Sequence, residues 1–177
     1  MKNNRRIVAT IEARMTSTRL PGKVLLKIGG KPALEYMIKR IEQSKLIDEI
    51  VVATTTKDSD LPIIDLCARV GCKHFRGSEQ DVLLRVLDAA KSVGADIIVE
   101  LTGDCPFIDP EIIDKLIELY FSRDYDYASN VVERSFPDGF DTQVFSVKSL
   151  ERVSEMTDDP IDRVHVSCYF YKNPIFF

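Results

Sequence analysis

Several features that would mark this 177-residue chain for a particular function are missing from it. Its four cysteines, Cys67, Cys72, Cys105 and Cys168, form no Cys-x-x-Cys pair. That leaves zinc or redox chemistry without its usual ligand spacing, and the thiols are expected to be free, with buried ones acting as small apolar residues. No apolar run approaches the roughly 20 residues that a membrane-spanning helix needs. The basic start, Met1 to Arg6, is followed by a stretch too short and too soon charged for a secretory signal, so the cytoplasm is the expected compartment. Positive charge is not in excess either. Lys and Arg number 24 against 28 Asp and Glu, a net charge of -4, which excludes a general nucleic-acid binder by bulk electrostatics. Any anion site must come from local clustering. Neither Gly-x-x-x-x-Gly-Lys-Ser/Thr nor Gly-x-Gly-x-x-Gly occurs, so neither a Walker phosphate loop nor a nicotinamide dinucleotide is expected.

What is present is an alternation. Short apolar, β-branched runs at 7–11, 50–54 and 96–101 read as strands, 73–76 reads as a further short strand, and segments of helical period separate them at 32–44, 61–70, 79–93 and 110–121. Asp58-Ser-Asp-Leu-Pro62 opens the second helix with a capping residue and an early proline; Asp109 and Pro110 open the fourth in the same way. Strands apolar on both faces, set between amphipathic helices, predict an α/β fold: three layers around a mostly parallel central sheet. After about Tyr125 the pattern loosens to one strand at 144–147 and one helix at 148–156. With 45% apolar residues and no linker or repeat, a single domain over 1–177 is expected. The aromatic end, Tyr169-Phe-Tyr-Lys-Asn-Pro-Ile-Phe-Phe177, suggests a truncation or a tail that tucks into a partner.

In such a sheet, ligands sit outside the carboxyl ends of the strands. The first strand is followed by Ala13-Arg-Met-Thr-Ser-Thr-Arg-Leu-Pro-Gly-Lys23. Arg14, Arg19 and Lys23 would repel one another on one loop unless an anion joined them. A triphosphate suits them, because arginine forks onto two oxygens and lysine acts as a point charge. Thr16, Ser17 and backbone amides would complete the cradle. The plain alternative is a solvated basic loop. The fourth strand is followed by Thr102-Gly-Asp-Cys-Pro106, which sets Asp104 in a tight turn facing those cations. Magnesium takes one or two carboxylates plus substrate phosphates, so Asp104 is a candidate ligand; capping a turn or pairing with an arginine is the alternative. Asp141 and Gln143 would project to one side of an extended segment behind the Asp138-Gly139 turn, as substrate contacts, a second metal ligand or ordinary turn residues. His74 is expected to be structural, and His165 is a candidate for a sugar pocket.

Taken together, "ARMTSTRLPGKVLLKIGGKPALEYMIKRI", "VVATTTKDSD", "FRGSEQDVLLRVLDAAK", "ELTGDCPFIDPEIID" and "DYASNVVERSFPDGFDTQVFS" resemble the cytidylyltransferase family over most of the chain. That family includes the synthetases of CMP-sialic acid and CMP-3-deoxy-manno-octulosonate, and the nearest branch is the one named for spore coat polysaccharide biosynthesis protein F. The resemblance implies a Rossmann-like nucleotidyltransferase fold, a homodimer, and transfer of CMP from CTP to a sugar acid with magnesium and release of pyrophosphate. It implies catalytic roles for Arg14, Lys23 and Asp104, with Asp104 on the metal, and nucleotide contacts from Ala13, Ser17 and Arg19. It further implies nucleotide contacts from Ala53, Thr54, Arg76, Gly77 and Ser78, and sugar contacts from Asp141 and Gln143. Longer family members carry a later acidic motif that completes the metal site; these 177 residues are expected to stop short of it, leaving Asp104 and a substitute such as Asp141. Two other readings remain open. A glycosyltransferase would use a finished nucleotide-sugar, but Asp104-Cys-Pro lacks the usual Asp-x-Asp. A non-catalytic domain would bind nucleotide without turnover.

Overall fold

The computed structural model describes residues 4–134 and 136–175. Its elements run in the order β1 (Ile7–Glu12), β2 (Lys27–Ile28), β3 (Lys31–Pro32), α1 (Ala33–Ile41), β4 (Glu49–Thr55), α2 (Leu61–Val70), β5 (Lys73–Gly77), α3 (Val82–Ser92), β6 (Ile97–Thr102), α4 (Pro110–Ser122), β7 (Tyr127–Ser129), β8 (Gln143–Ser146), α5 (Val147–Met156), α6 (Pro160–Val164) and α7 (Cys168–Lys172). One sheet has the strand order β5-β4-β1-β6-β8-β7. The four strands from β5 to β6 are parallel, while β8 runs antiparallel to both β6 and β7. The carboxyl ends of β1, β4, β5, β6 and β7 therefore share an edge with the amino end of β8.

Side chains alternate across the strands, and each face has its own core. Ile7, Ala9, Ile11, Ile97, Val99 and Leu101 pack with α1, α2 and α4. Val8, Val51, Ala53, Ile98 and Phe145 pack with α3, α5 and Phe170 of α7. The α/β expectation holds, as does the cap of α4: the Asp109 side chain accepts from the Glu111 amide at 2.8 Å. All four cysteines are free.

Two expected helix boundaries need correction. The first helix stops at Ile41 rather than Ser44, because Ser44 Oγ donates to Asp114 at 2.5 Å and accepts from the Leu46 and Ile47 amides, closing a turn. The third helix starts at Val82 rather than Glu79, since Asp81 caps it by accepting from the Leu84 amide at 2.9 Å. Strand β7 and helices α6 and α7 escape the periodicity, being 3, 5 and 5 residues long. The aromatic end folds inward in part: Phe170 stacks on Tyr127 and Phe145 with centroids 5.1 Å away in each case. Phe176 and Phe177, on which part of the tail expectation rests, lie outside the described residues.

Candidate active site

The loop after β1 is built by three anchors. Gly22 takes the left-handed conformation at φ 70°, and its amide donates to the Met15 carbonyl at 2.8 Å, closing the loop on itself. A short 3-10 turn at Lys23–Leu25 buries Val24 beneath it. Asp60, wholly buried, accepts from the Met15 amide at 2.8 Å, from the Thr55 amide at 3.1 Å and from the hydroxyls of Thr54 and Thr55 at 3.1 and 2.5 Å. The sequence suggests a helix cap in this stretch. Asp60 does occupy the cap position of α2, but its side chain makes no cap bond and instead ties β4 to the loop.

These anchors aim Lys23 across the cleft. Its Nζ donates to Asp104 Oδ2 at 2.5 Å. Gly103 makes that approach possible: its amide donates to the Glu12 carbonyl at 2.9 Å, and an added Cβ would stand 2.7 Å from the same oxygen. Burial alone would raise the Asp104 carboxyl, but the Lys23 hydrogen bond and charge hold it below its ordinary value. On the other flank Glu79 gathers cations. It pairs with Arg14 at 3.4 Å, with Lys57, and accepts from Thr16 Oγ1 at 2.6 Å. The Lys57 hydrogen bond, then that of Thr16, keep its carboxyl low. Arg19 is exposed and has no ion pair among the described residues.

A cleft of about 250 Å³ opens over this arrangement. Ala13, Arg14, Ser17, Arg19, Lys23 and Asp104 line it together, and His165 closes one side from the end of α6. The other proposed residues lie outside that lining. Ala53 and Thr54 are fully buried in β4. Arg76 turns its guanidinium to the carbonyls of Thr55, Thr56 and Lys57, bracing the turn before α2. Gly77 and Ser78 sit behind Arg85: a Cβ on Gly77 would come within 2.8 Å of Arg85 Cγ, and the Ser78 carbonyl accepts from Arg85 Nη1. Asp141 stands 3.9 Å from Arg134. Gln143 accepts from the Tyr127 hydroxyl at 2.5 Å and donates to Glu100 at 2.9 Å. His74 lies exposed on the edge strand β5.

Residue patterns did not single out Asp60, Glu12, Arg85 or Glu100. A signal existed for two of them. Glu100 is a charged residue inside an otherwise apolar run, Ile97–Leu101, and Glu12 closes the strand that begins with Ile7–Ile11; a charge within a buried strand is the informative exception.

Among the described residues no group of three or more His, Cys, Asp or Glu could cage a metal. Asp104 is a partly exposed carboxylate facing a cationic loop, which fits a magnesium ion that draws its remaining ligands from phosphates and water.

A mostly parallel sheet with a cation-lined cleft beyond the carboxyl ends of β1 and β6 marks an α/β protein with its ligand site at that edge. Comparison with known proteins carries this further: the cytidylyltransferase family profile matches residues 8–177, and the chain belongs to that family. It is 40% identical over 172 residues to an uncharacterized protein of Methanocaldococcus jannaschii, covering 97% of this chain and 70% of that one. It is 36% identical over 176 residues to spore coat polysaccharide biosynthesis protein SpsF of Bacillus subtilis, covering 95% and 71%. A 3-deoxy-manno-octulosonate cytidylyltransferase of Geobacter sulfurreducens is 37% identical over 114 residues, covering 63% and 44%. Among solved structures, a cytidylyltransferase from Leptospira borgpetersenii superposes with a TM-score of 0.93 at 37% identity, covering 98% of this chain and 74% of that one.

Proposed function

We propose that this protein transfers CMP from CTP to a sugar acid, releasing pyrophosphate, as a step towards a surface polysaccharide or related glycan. Family membership supports nucleotidyl transfer. The sugar-acid acceptor is argued from the likeness to a 3-deoxy-manno-octulosonate cytidylyltransferase, and the polysaccharide from the likeness to SpsF. The observation that carries the reading is the Lys23–Asp104 pair at 2.5 Å on the rim of a cleft also lined by Arg14, Ser17 and Arg19.

In the reaction, an acceptor hydroxyl oxygen bonds to the α-phosphorus, the bond from that phosphorus to the bridging oxygen breaks, and pyrophosphate leaves opposite. The hydroxyl proton passes to solvent. Arg14, Arg19 and Lys23 hold the β- and γ-phosphates and stabilise the charge that builds on the leaving group. Ser17 and the loop amides fix the phosphate chain for in-line attack. Asp104 would hold magnesium, with Asp141 proposed as a substitute second carboxylate although it lies outside the cleft lining. When bound, the ion neutralises phosphate charge and acidifies the attacking hydroxyl. Lys23 must then leave Asp104 for the triphosphate, an exchange of one anionic partner for another.

The test is pyrophosphate release with CTP, magnesium and a panel of sugar acids. Release of nucleoside mono- or diphosphate from a nucleotide-sugar would instead establish a glycosyltransferase. CTP binding without turnover would establish a non-catalytic domain. We further place the enzyme in the cytoplasm as a homodimer; sedimentation of the purified chain checks the assembly.

A further inference from the structure

Glu79 joins three segments at the carboxyl edge of the sheet. It rides on the turn between β5 and α3. Its carboxylate meets Arg14 at 3.4 Å and accepts from Thr16 Oγ1 at 2.6 Å, both on the loop after β1. It also pairs with Lys57, on the turn after β4. Arg14, Lys57 and Glu79 all keep contact with solvent, so their attraction adds little to stability. What the cluster can do is fix where the Arg14 side chain stands.

The backbone on each side of this cluster is itself fixed. The Ser78 hydroxyl oxygen accepts from the Gln80 and Asp81 amides at 3.2 and 3.0 Å, and the Ser78 carbonyl accepts from Arg85 Nη1. The Gly77 carbonyl accepts from the Thr56 amide at 3.1 Å, while Arg76 donates to the carbonyls of Thr55, Thr56 and Lys57. Opposite them, Asp60 holds the Met15 amide, between Arg14 and Thr16.

Arg14 lines the cleft, whereas Glu79 lies outside that lining. Glu79 accepts one hydrogen bond from Arg14, through Nη1. A guanidinium has five N–H groups, so the others stay available to a phosphate. Thr16 and Lys57 keep the carboxylate in place while Arg14 takes up a ligand. We infer that Glu79 is a positioning residue: it holds the Arg14 guanidinium at the cleft, ready for the nucleotide phosphates, without touching the nucleotide itself. This rests on the CTP reading above. A free arginine samples many rotamers and gives up that freedom on binding; one held in advance gives up less. Arg76, Gly77 and Ser78, for which the family resemblance implies nucleotide contacts, then act through Glu79.

The experiment is calorimetric titration of CTP and of inorganic pyrophosphate, in magnesium buffer, into the unaltered protein, Glu79→Ala, Glu79→Gln, Arg14→Ala and the double variant of Arg14→Ala with Glu79→Ala. Thermal melts are run alongside. Both Glu79 variants remove the same negative charge, which by itself would tighten phosphate binding equally in the two. Positioning requires the opposite sign. Glu79→Ala is expected to weaken CTP and pyrophosphate by about 3–10-fold, the size of ordering one long side chain, at a melting point close to that of the unaltered protein. Glu79→Gln keeps the length and an acceptor oxygen, and is expected to recover part of that loss. In the Arg14→Ala background, Glu79→Ala is expected to change nothing, because the side chain it holds is gone. Unchanged or tighter binding in Glu79→Ala overturns the inference and leaves the CTP reading standing. So does an equal loss in both backgrounds, which marks a structural role. Pyrophosphate binding without CTP binding in the unaltered protein removes the CTP reading alone, since the pyrophosphate titrations still read the hold of Glu79 on Arg14. Binding of neither removes both.

Discussion

At the scale of single residues, the cleft depends on two side chains that neutralise each other until a ligand arrives. Lys23 and Asp104 are partly exposed, so their mutual attraction adds little to stability. Their importance lies in position. Lys23→Ala and Asp104→Ala are each expected to lower the rate of pyrophosphate release by about 10²–10³-fold, the usual effect of removing one interaction that strengthens in the transition state. Melting temperatures should stay close to that of the unaltered protein; full activity in either variant would remove the assigned role. Asp60 is the opposite case. It is wholly buried and touches no ligand, yet its carboxylate accepts four hydrogen bonds that hold the loop to β4. Asp60→Ala would strand those donors at about 1–3 kcal/mol for each one left unsatisfied. Chemical denaturation should show a large destabilisation, with CTP affinity falling away as the loop comes free.

At the scale of elements, β1, β4 and β6 were legible because each is a run rich in β-branched residues buried on both faces, and the helices because their apolar stripes recur at helical spacing. The cation loop and Asp104 were legible because the carboxyl edge of a parallel sheet is where such residues act. What stayed hidden depends on three-dimensional partners. The family resemblance implies a nucleotide contact for Arg76, but the carbonyls of Thr55, Thr56 and Lys57 lie within its reach and take its guanidinium. Strand β7 is three residues of no marked pattern, and it exists because β8 offers it an edge. Gly103 shows how an element boundary serves the site. Its added Cβ would strike the Glu12 backbone oxygen at 2.7 Å, and backbone cannot swing aside as a side chain can. Gly103→Ala should therefore part the ends of β1 and β6, cost about 1–3 kcal/mol in urea denaturation, and reduce turnover by moving Asp104 away from Lys23. Wild-type stability and turnover in this variant would show that the close approach is dispensable.

At the scale of the whole molecule, the acidic pair that spans β1 and β6 ties folding to pH. Glu100 is 5% exposed, and burial, then the Glu12 charge, raise its carboxyl well above the ordinary value. The folded state thus holds a proton that the unfolded chain gives up above the usual glutamate pKa of about 4.3. The stability this contributes is complete below that value and fades as pH rises through the raised folded value. Asp104 and Glu79 act in the other direction: their carboxyls are held low, so their contribution is present at neutral pH and is lost on acidification. Both are substantially solvated, however, and screening weakens them, so the buried Glu100 sets the alkaline side of the profile. Urea denaturation from about pH 5 to about pH 9 is expected to show stability declining as pH rises, in the direction that proton linkage requires. Glu100→Gln should flatten that decline, because its amide N–H can donate to Glu12 without titrating while its oxygen still accepts from Gln143. Equal slopes for the variant and the unaltered protein would mean that the shared proton does not lie between these strands.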